Sequence, residues 1–191
     1  MLVTMASACR RRRAAPSPGP RPAAGARPVL LWTGVALVAL AADAATKAWA
    51  LSALRAGRQI GVAGGLIRLQ LVANHGAAFG VGAGYEPVVA VVSAAGIVLL
   101  GFWARYATSA VERLGAVLAV AGGLGNLADR LFRPPGALHG AVVDWIHVSF
   151  YGPTFNLADA WLRGGILIAA LGWLWNRRHP HHPGEARGIH I

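Results

Sequence analysis

The chain has 191 residues, of which 55% are hydrophobic and 13% charged, and its mean hydropathy is +0.50. Soluble domains carry about 25% charged residues, so this composition argues against a soluble protein and favours one membrane-embedded domain. The net charge of +11 comes largely from basic residues before and after the apolar segments. No basic face interleaved with aromatic residues accompanies them, which argues against nucleic-acid binding.

Residues 1–28 are rich in Pro, Ala, Gly and Arg, a composition that predicts a disordered basic tail. The single cysteine, Cys9, excludes an internal disulfide. Its context loosely resembles a lipidation site. A signal peptide would have an apolar run before the cysteine, whereas here four arginines follow it. We therefore interpret Cys9 as an incidental residue of the tail.

Four apolar segments follow, and each reaches the ~17–25 residues of a spanning helix when its polar ends are included. They cover about residues 29–50, 87–103, 114–128 and 156–175, and the third is the shortest. Together they predict one membrane domain over residues 29–176, followed by a tail at residues 177–191.

Basic residues indicate the orientation of these segments. They precede the first segment, follow the last, and include Arg105 and Arg113 between the second and third. Because cytoplasmic loops carry an excess of Lys and Arg, we predict that both termini are cytoplasmic. The other two connections then lie outside the cell.

The first external connection contains the stretch GLIRLQLV, in which apolar and polar residues alternate. A period of two predicts a strand, and the preceding GVAGG predicts a turn. We expect a small sheet over about residues 58–74, and a loop with a short strand or helix in residues 130–155. The predicted fold is a mainly α membrane protein with four transmembrane helices and a small extracytoplasmic β-sheet.

Carboxylates and amides concentrate at the predicted outer ends of the segments. These residues are Asp43, Asn74, Asn126, Asp129, Asp144, Asn156 and Asp159. Ionisable residues in or near a span are costly, and they are functional by default. The alternative is a structural network that closes the bundle, because ion-pair networks resemble sites.

The four aspartates differ in their neighbours. Asp43 has Lys47 four residues later, and Asp129 lies beside Arg130 and four residues before Arg133, which suits a structural role.

Asp144 has only apolar neighbours in VVDWI, and an apolar setting raises the pKa of a carboxyl group, which suits acid–base work. Asp159 follows the small residue Ala158, although Arg163 lies four residues later. The best pair is therefore Asp144 with Asp159. Two carboxyls in contact share a proton, so that one can deprotonate water while the other protonates a carbonyl oxygen.

Two other chemistries fit the residues less well. Asp144, His147 and Ser149 have the residue types of a serine-hydrolase triad. Triad members, however, converge from separate elements, and no Gly-x-Ser-x-Gly elbow surrounds Ser149. A metal site built from His139, Asp144, His147 and Asp159 lacks the His-Glu-x-x-His spacing of zinc proteases. We predict no metal and no cofactor.

Five motifs occur along the chain in the order DAATK, NHGAAFG, GGLGNLADR, VVDW and FNLAD. Taken together they resemble the bacterial lipoprotein signal peptidases (type II signal peptidases), and the match covers about residues 32–175. The resemblance implies an intramembrane aspartyl protease of the bacterial plasma membrane. It also implies removal of the signal peptide from a prolipoprotein, just before a cysteine that carries diacylglycerol. We expect a monomer that binds lipidated prolipoproteins and membrane lipid.

The resemblance also assigns roles to residues. Asp144 and Asp159 match the catalytic pair. The supporting positions are Asn74, Gly122, Asn126, Arg130, Asn156 and Ala158. Asp43, Lys47 and Asp129 match positions that we interpret as structural or positioning. The chain departs from the family pattern at Ala44, His75, Gly80 and Arg163, which bears on loop geometry and substrate preference.

Two functions of other classes compete with the peptidase. An ion-coupled transporter would hold its carboxylates near the bilayer midplane and often at a repeat interface. Here they gather at one face, and no repeat is visible. A membrane assembly factor would use the same polar residues only as a plug.

Arg163 lies one turn deeper than Asp159 on nearly the same helical face. A charge deep in a span costs about 2.5–3.5 kcal/mol on insertion scales. Arg163 either pairs with Asp159 or extends its stem to lipid phosphates. We favour the extension of the stem toward lipid phosphates, because the mechanism needs Asp159 free to exchange a proton. This interpretation predicts that Arg163 has little influence on cleavage.

Overall fold

The computed structural model describes residues 26–77 and 80–179. Most of the predicted basic tail, residues 1–25, and most of the predicted C-terminal tail, residues 180–191, lie outside the described residues.

Four helices form the body of the described structure. They are α1 Ala26–Ala53, α2 Glu86–Tyr106, α3 Ala110–Phe132 and α4 Leu157–Arg178. All four are long and apolar enough to cross a membrane, so the predicted number of spans is confirmed. Helix α3 packs against each of the other three and is the centre of the bundle.

The prediction that the third span is the shortest is wrong. Helix α3 has 23 residues, whereas α2 has 21 and α4 has 22. The apolar run is short because both ends of α3 are polar. Its first turn begins at the N-cap Ser109, whose side chain accepts a hydrogen bond from the backbone N–H of Glu112. Its last turns contain Asp129 and Arg130, which are buried and face other protein groups rather than lipid.

An antiparallel sheet of four strands covers one end of the bundle, called the sheet end below. Its strands are β1 Ile60–Val62, β2 Ile67–Asn74, β3 Val142–Val148 and β4 Thr154–Phe155, in that spatial order. The short 3₁₀ turns Arg55–Gly57 and Ala63–Gly65 precede and follow β1. Strands β2 and β3 align Val72 with Asp144 and Asn74 with Val142, and a bulge lies between Leu69 and Val72.

The predicted sheet at residues 58–74 is therefore only half of the observed one. The other half comes from β3 and β4, in a region predicted as a loop with one short strand or helix. Val142, Val143 and Asp144 are all buried, so this part of β3 shows no alternation of apolar and polar residues. A continuous apolar run does not distinguish a buried strand from a buried helical segment.

Helices α3 and α4 approach each other closely through small residues. A Cβ atom added to Gly165 would collide with the backbone of Gly115 and Ala119 on α3, and one added to Gly122 would collide with the backbone of Ala158 and Leu162 on α4. Such small residues allow the backbones of membrane helices to come together.

The neighbours Gly165 and Gly164 offer a matched test of this packing. Gly165→Ala is expected to lower the free energy of unfolding by about 1–3 kcal/mol, because the added methyl group must push the two backbones apart. At Gly164 a Cβ atom meets nothing within 4 Å, so Gly164→Ala should leave stability unchanged or raise it slightly, because alanine favours a helix more than glycine does. Thermal unfolding of both variants in detergent measures the difference. Equal stability of the two variants would contradict the close packing.

Candidate active site

The polar residues singled out in the sequence meet at the sheet end of the bundle. Helix α1 contributes Asp43 and Lys47, helix α3 contributes Asn126, Asp129 and Arg130, strands β2 and β3 contribute Asn74 and Asp144, and the start of α4 contributes Asn156, Ala158 and Asp159.

Asp144 is held on the buried strand β3 by two amide donors. Its carboxylate accepts hydrogen bonds from Asn74 Nδ2 at 2.9 Å and from Asn156 Nδ2 at 2.7 Å. The residue is only 1% exposed. Burial, with a further contribution from the charge of Asp159, raises the pKa of Asp144 to about 7, against the opposing effect of the two donors.

Asp159 is held in the first turn of α4. Its Oδ1 accepts a hydrogen bond from Asn126 Nδ2 at 2.9 Å, and its Oδ2 accepts one from the backbone N–H of Asn156 at 3.3 Å. The backbone N–H of Asp159 in turn donates to Asn156 Oδ1 at 2.9 Å. These reciprocal bonds form a capping box. The position of the carboxylate is therefore tied to the start of the helix.

Asn156 connects the two carboxylates. Its Nδ2 contacts Asp144 Oδ1 at 2.7 Å and Asn126 Oδ1 at 3.0 Å, while its backbone N–H and side-chain oxygen bind Asp159. The residue is fully buried. One asparagine thus caps α4 and joins the two candidate catalytic groups.

Lys47 orients the amide that faces Asp159. Its Nζ lies 2.7 Å from Asp43 Oδ2, 2.9 Å from Asp129 Oδ2 and 3.0 Å from Asn126 Oδ1. An ammonium group can only donate hydrogen bonds, so the oxygen of Asn126 faces Lys47. The NH₂ group of Asn126 is then left to donate to Asp159.

Asp43 and Asp129 use their oxygens to connect structural elements. The structure contains the Asp43–Lys47 pair expected from the spacing, and Asp43 Oδ1 also accepts the backbone N–H of Ala158 at 2.9 Å. Asp129 pairs with Arg133 at 2.5 Å and accepts the backbone N–H of Val143 at 3.3 Å. These contacts join α1 to α4 and α3 to β3, which fits a structural role for both aspartates.

Arg130 and the small residues have positions that sequence spacing did not indicate. Arg130 Nη2 donates to the carbonyl oxygen of Gly76 at 2.6 Å and so holds the chain that follows β2. Gly122 packs against the backbone of Ala158, which is fully buried. Gly125, which was not singled out, lies where a Cβ atom would meet Asp43 Oδ2 at 2.7 Å.

Both candidate carboxylates line cavities at this end of the bundle. A cavity of about 460 Å³ lies between α2, α3 and α4, and its lining includes Asn126 and Asp159 beside apolar residues such as Ile97 and Leu162. A neighbouring cavity of about 340 Å³ includes Asp144. The two cavities share four lining residues, which are Asn74, Gly76, Pro153 and Thr154.

The competing chemistries gain no support from the geometry. The Oγ of Ser149 lies 2.9 Å from the carbonyl oxygen of Gly65 and 3.1 Å from that of Leu66, so its hydroxyl holds a turn. Within residues 26–77 and 80–179, no three His, Cys, Asp or Glu side chains come together in a way that could hold a metal ion.

Arg163 is closer to the protein than the sequence prediction assumed. Its Nη1 donates a hydrogen bond to the hydroxyl of Tyr151, and its Nη2 lies 3.9 Å from Asp159 Oδ2. This arrangement is nearer to the less favoured alternative, pairing with Asp159, than to a side chain extended toward lipid phosphates. The partner was missed because Tyr151 lies in a turn whose position depends on the pairing of β3 with β2 and β4, which the sequence did not predict.

Comparisons with known proteins relate the whole chain to one family. The family model described as signal peptidase (SPase) II matches residues 35–175. A lipoprotein signal peptidase of Mycolicibacterium smegmatis is 39% identical over 176 residues, covering 90% of this chain and 74% of the relative. That of Rhodococcus jostii is 39% identical over 156 residues, covering 80% and 76% of the two chains. That of Mycobacterium tuberculosis is 37% identical over 153 residues, covering 80% and 75%.

Solved structures share the fold. Two structures of a bacterial membrane enzyme superpose with TM-scores of 0.68 and 0.65, at 21% and 23% sequence identity. The first alignment covers 85% of this chain and 95% of the other, and the second covers 76% and 94%. With the family model matching most of its length, the chain belongs to the signal peptidase II family.

Proposed function

We propose that this protein is a membrane-embedded aspartyl endopeptidase that removes the signal peptide from diacylglyceryl-modified prolipoproteins, cleaving just before the lipidated cysteine. Asp144 and Asp159 are its catalytic pair. The observation that carries the assignment is their joint connection to Asn156, between two neighbouring cavities of which one is lined by Asp159 and the other by Asp144. The two carboxyls come from different elements, yet they share one hydrogen-bond network.

The chemistry follows from a proton held by the pair. One carboxylate takes a proton from a water molecule, and the water oxygen attacks the carbonyl carbon of the scissile bond. The other carboxyl group gives its proton to the carbonyl oxygen, as in other paired carboxyl sites. The C–N bond then breaks as the carbonyl forms again, the proton taken from water passes to the leaving amine, and the hydroxyl proton returns to the other carboxylate. The raised pKa of Asp144, about 7, supports a pair that retains one proton near neutral pH. Asn74, Asn126 and Asn156 orient the carboxyls during this exchange.

The substrate is expected to enter from the bilayer. The larger cavity is lined mainly by apolar residues of α2, α3 and α4, and it reaches Asp159 at the sheet end. An apolar signal helix lying against these helices would bring its end to the carboxyls. The basic residues at both ends of the chain support cytoplasmic termini, with the sheet end at the outer face of the plasma membrane. The enzyme acts as a monomer in this proposal.

The decisive experiment uses purified protein in lipid. It is incubated with a prolipoprotein that carries diacylglycerol on its cysteine and, separately, with the same precursor lacking the lipid. We expect release of the signal peptide from the lipidated precursor, with the lipidated cysteine as the new N-terminus by mass spectrometry. No cleavage of the lipidated precursor, or cleavage at another bond, would exclude the proposal. Transporter and assembly-factor functions predict no cleavage at all.

The pH dependence of cleavage follows from the state of Asp144. Since its pKa is raised to about 7, the pair keeps its proton below that pH and loses it above, so kcat/KM should fall as the pH rises through about 7. Asn74 donates to the ionised form and holds this pKa down. In Asn74→Ala the alkaline fall should therefore move to higher pH.

A control for this pH experiment lies on the same strand. Gln70 donates to Thr154 rather than to a carboxylate, so Gln70→Ala should keep the parent pH profile. A movement of the alkaline fall to lower pH in Asn74→Ala, or an equal movement in both variants, would contradict the role of Asn74.

A further inference from the structure

The turn between β3 and β4 forms part of the wall of both catalytic cavities. Pro153 in this turn and Thr154 at the start of β4 line the cavity with Asp159 and the cavity with Asp144. The end of the turn that follows β3 is fixed, because the hydroxyl of Ser149 is within hydrogen-bond distance of the carbonyl oxygens of Gly65 and Leu66. The position of Pro153 relative to α4 then depends on what holds the middle of the turn.

Tyr151 and Arg163 provide that contact. Arg163 Nη1 donates to the hydroxyl of Tyr151, and the guanidinium carbon lies 5.9 Å from the centre of the tyrosine ring. The ring itself packs edge-on against Phe155 at a centroid distance of 5.8 Å. A hydrogen bond and a cation–π contact therefore join the turn to α4, while the aromatic contact joins it to β4.

The same guanidinium lies beside the catalytic pair. Arg163 Nη2 is 3.9 Å from Asp159 Oδ2, and the side chain lines the cavity of about 460 Å³ and a third cavity of about 310 Å³. Asp159 lines the same two cavities. Arg163 therefore contacts the turn and also places a positive charge near the reacting groups.

We propose that Arg163 is a positioning residue for the peptidase reaction, which holds the β3–β4 turn against α4 through Tyr151 and keeps a positive charge beside Asp159. The turn contact sets the fit of the substrate in the cavity, and so acts on KM. The charge favours the ionised form of the catalytic pair, and so acts on the pH dependence. This inference rests on the proposed function.

Several charged or titratable groups face the catalytic pair and enter the pH argument. They are Lys47 from α1, His75 after β2, Arg130 from α3 and Arg163 from α4. Of these, Arg163 alone also contacts the turn among the described residues. Removal of the Arg163 side chain therefore changes both the contact with the turn and the charge beside Asp159. A change of Tyr151 affects only the contact with the turn.

Three variants separate the two effects. Tyr151→Phe keeps the ring and the arginine but removes the hydroxyl, so KM should rise about 3–10-fold with the pH profile unchanged. Arg163→Leu should raise KM by a similar factor and also move the alkaline fall of kcat/KM to higher pH by about half a unit, because the pair keeps its remaining proton more tightly without the positive charge. Arg163→Lys keeps the charge, so it should retain the parent alkaline fall.

The double variant Tyr151→Phe/Arg163→Leu tests whether the two residues act as a unit. Its KM should be no higher than that of Arg163→Leu alone, because the contact is lost only once. Phe132→Leu, at the end of α3 and 83% exposed, is the control and should behave as the parent. If the effects of the two substitutions on KM multiply in the double variant, or if Arg163→Leu keeps the parent KM and the parent alkaline fall, the proposal is overturned.

Hydrogen–deuterium exchange gives a readout that does not depend on activity. Amides in residues 149–152 should exchange faster in Tyr151→Phe and in Arg163→Leu than in the parent or in Phe132→Leu. If the parent cleaves no prolipoprotein, the proposed function fails and this exchange difference still reports on the contact. If the parent cleaves but neither exchange nor KM changes in the variants, the positioning role alone is wrong.

Discussion

Asp144→Asn and Asp159→Asn are each expected to lower kcat/KM for a lipidated prolipoprotein by about 10³-fold or more, in protein that still folds and inserts. The amide keeps the shape of the carboxyl group but cannot take up and release a proton. Because the two residues act as a unit, the double variant should be about as inactive as either single variant. Cleavage assays on purified protein, corrected for the folded fraction, measure the effect.

The control for this prediction is another buried carboxylate. Glu112 is 2% exposed and accepts hydrogen bonds from Trp103 and Thr108 at the other end of the bundle. Glu112→Gln makes the same chemical change away from the cavities, so activity per folded molecule should stay near the parent value. Normal turnover in either dyad variant would exclude the assignment. Inhibition by a chelator that added zinc reverses would instead support a metal site.

Lys47→Met is expected to have the largest effect on stability, a loss of about 3–5 kcal/mol in the free energy of unfolding. The lysine side chain is 1% exposed, and its removal leaves the buried carboxylates of Asp43 and Asp129 without their shared counter-charge. It also frees the oxygen of Asn126, so activity should fall in the fraction that folds. Thermal or denaturant unfolding in detergent measures the loss.

Arg133→Met is the matched control, because Arg133 also pairs with Asp129 but its side chain is 29% exposed. A partly exposed pair contributes about 0–1 kcal/mol, so this variant should be nearly as stable as the parent. If Lys47→Met does not fold, the triple variant with Asp43→Asn and Asp129→Asn should recover folded protein, since the unpaired charges are gone. Equal losses in Lys47→Met and Arg133→Met would contradict the buried network.

Sequence patterns predicted the helices better than the sheet. A helix that faces lipid is apolar along a continuous stretch of the sequence. Hydropathy therefore located the four spans, although the polar ends of the helices were assigned to loops. The pairing of Asn74 with Val142 depends on contacts between strands that are far apart in the chain. No local pattern in VVDWIHV distinguishes a central strand from a helical segment.

The sequence predicted which residues belong to the candidate site better than it predicted the contacts between them. Local neighbours and motif order selected Asp144 and Asp159, and spacing along a helix suggested the Asp43–Lys47 pair. The second contact of Lys47, with Asp129, joins two helices and has no sequence spacing to reveal it. The contact between Arg163 and Tyr151 depends likewise on the turn after β3. Helix periodicity reports only contacts within one helix.

The dual role of Asn156 has a consequence for biosynthesis. Strand β3, with Asp144, is translated before α4, with Asp159, and Asn156 joins the two only when the first turn of α4 has formed. A nascent chain that has inserted α1, α2 and α3 therefore holds one carboxyl group without its partner or its connecting amide. In the proposed mechanism, proteolytic competence therefore arises with the formation of the last of the four described helices. An unfinished molecule lacks the joined pair of carboxyls that cleavage of a precursor would need.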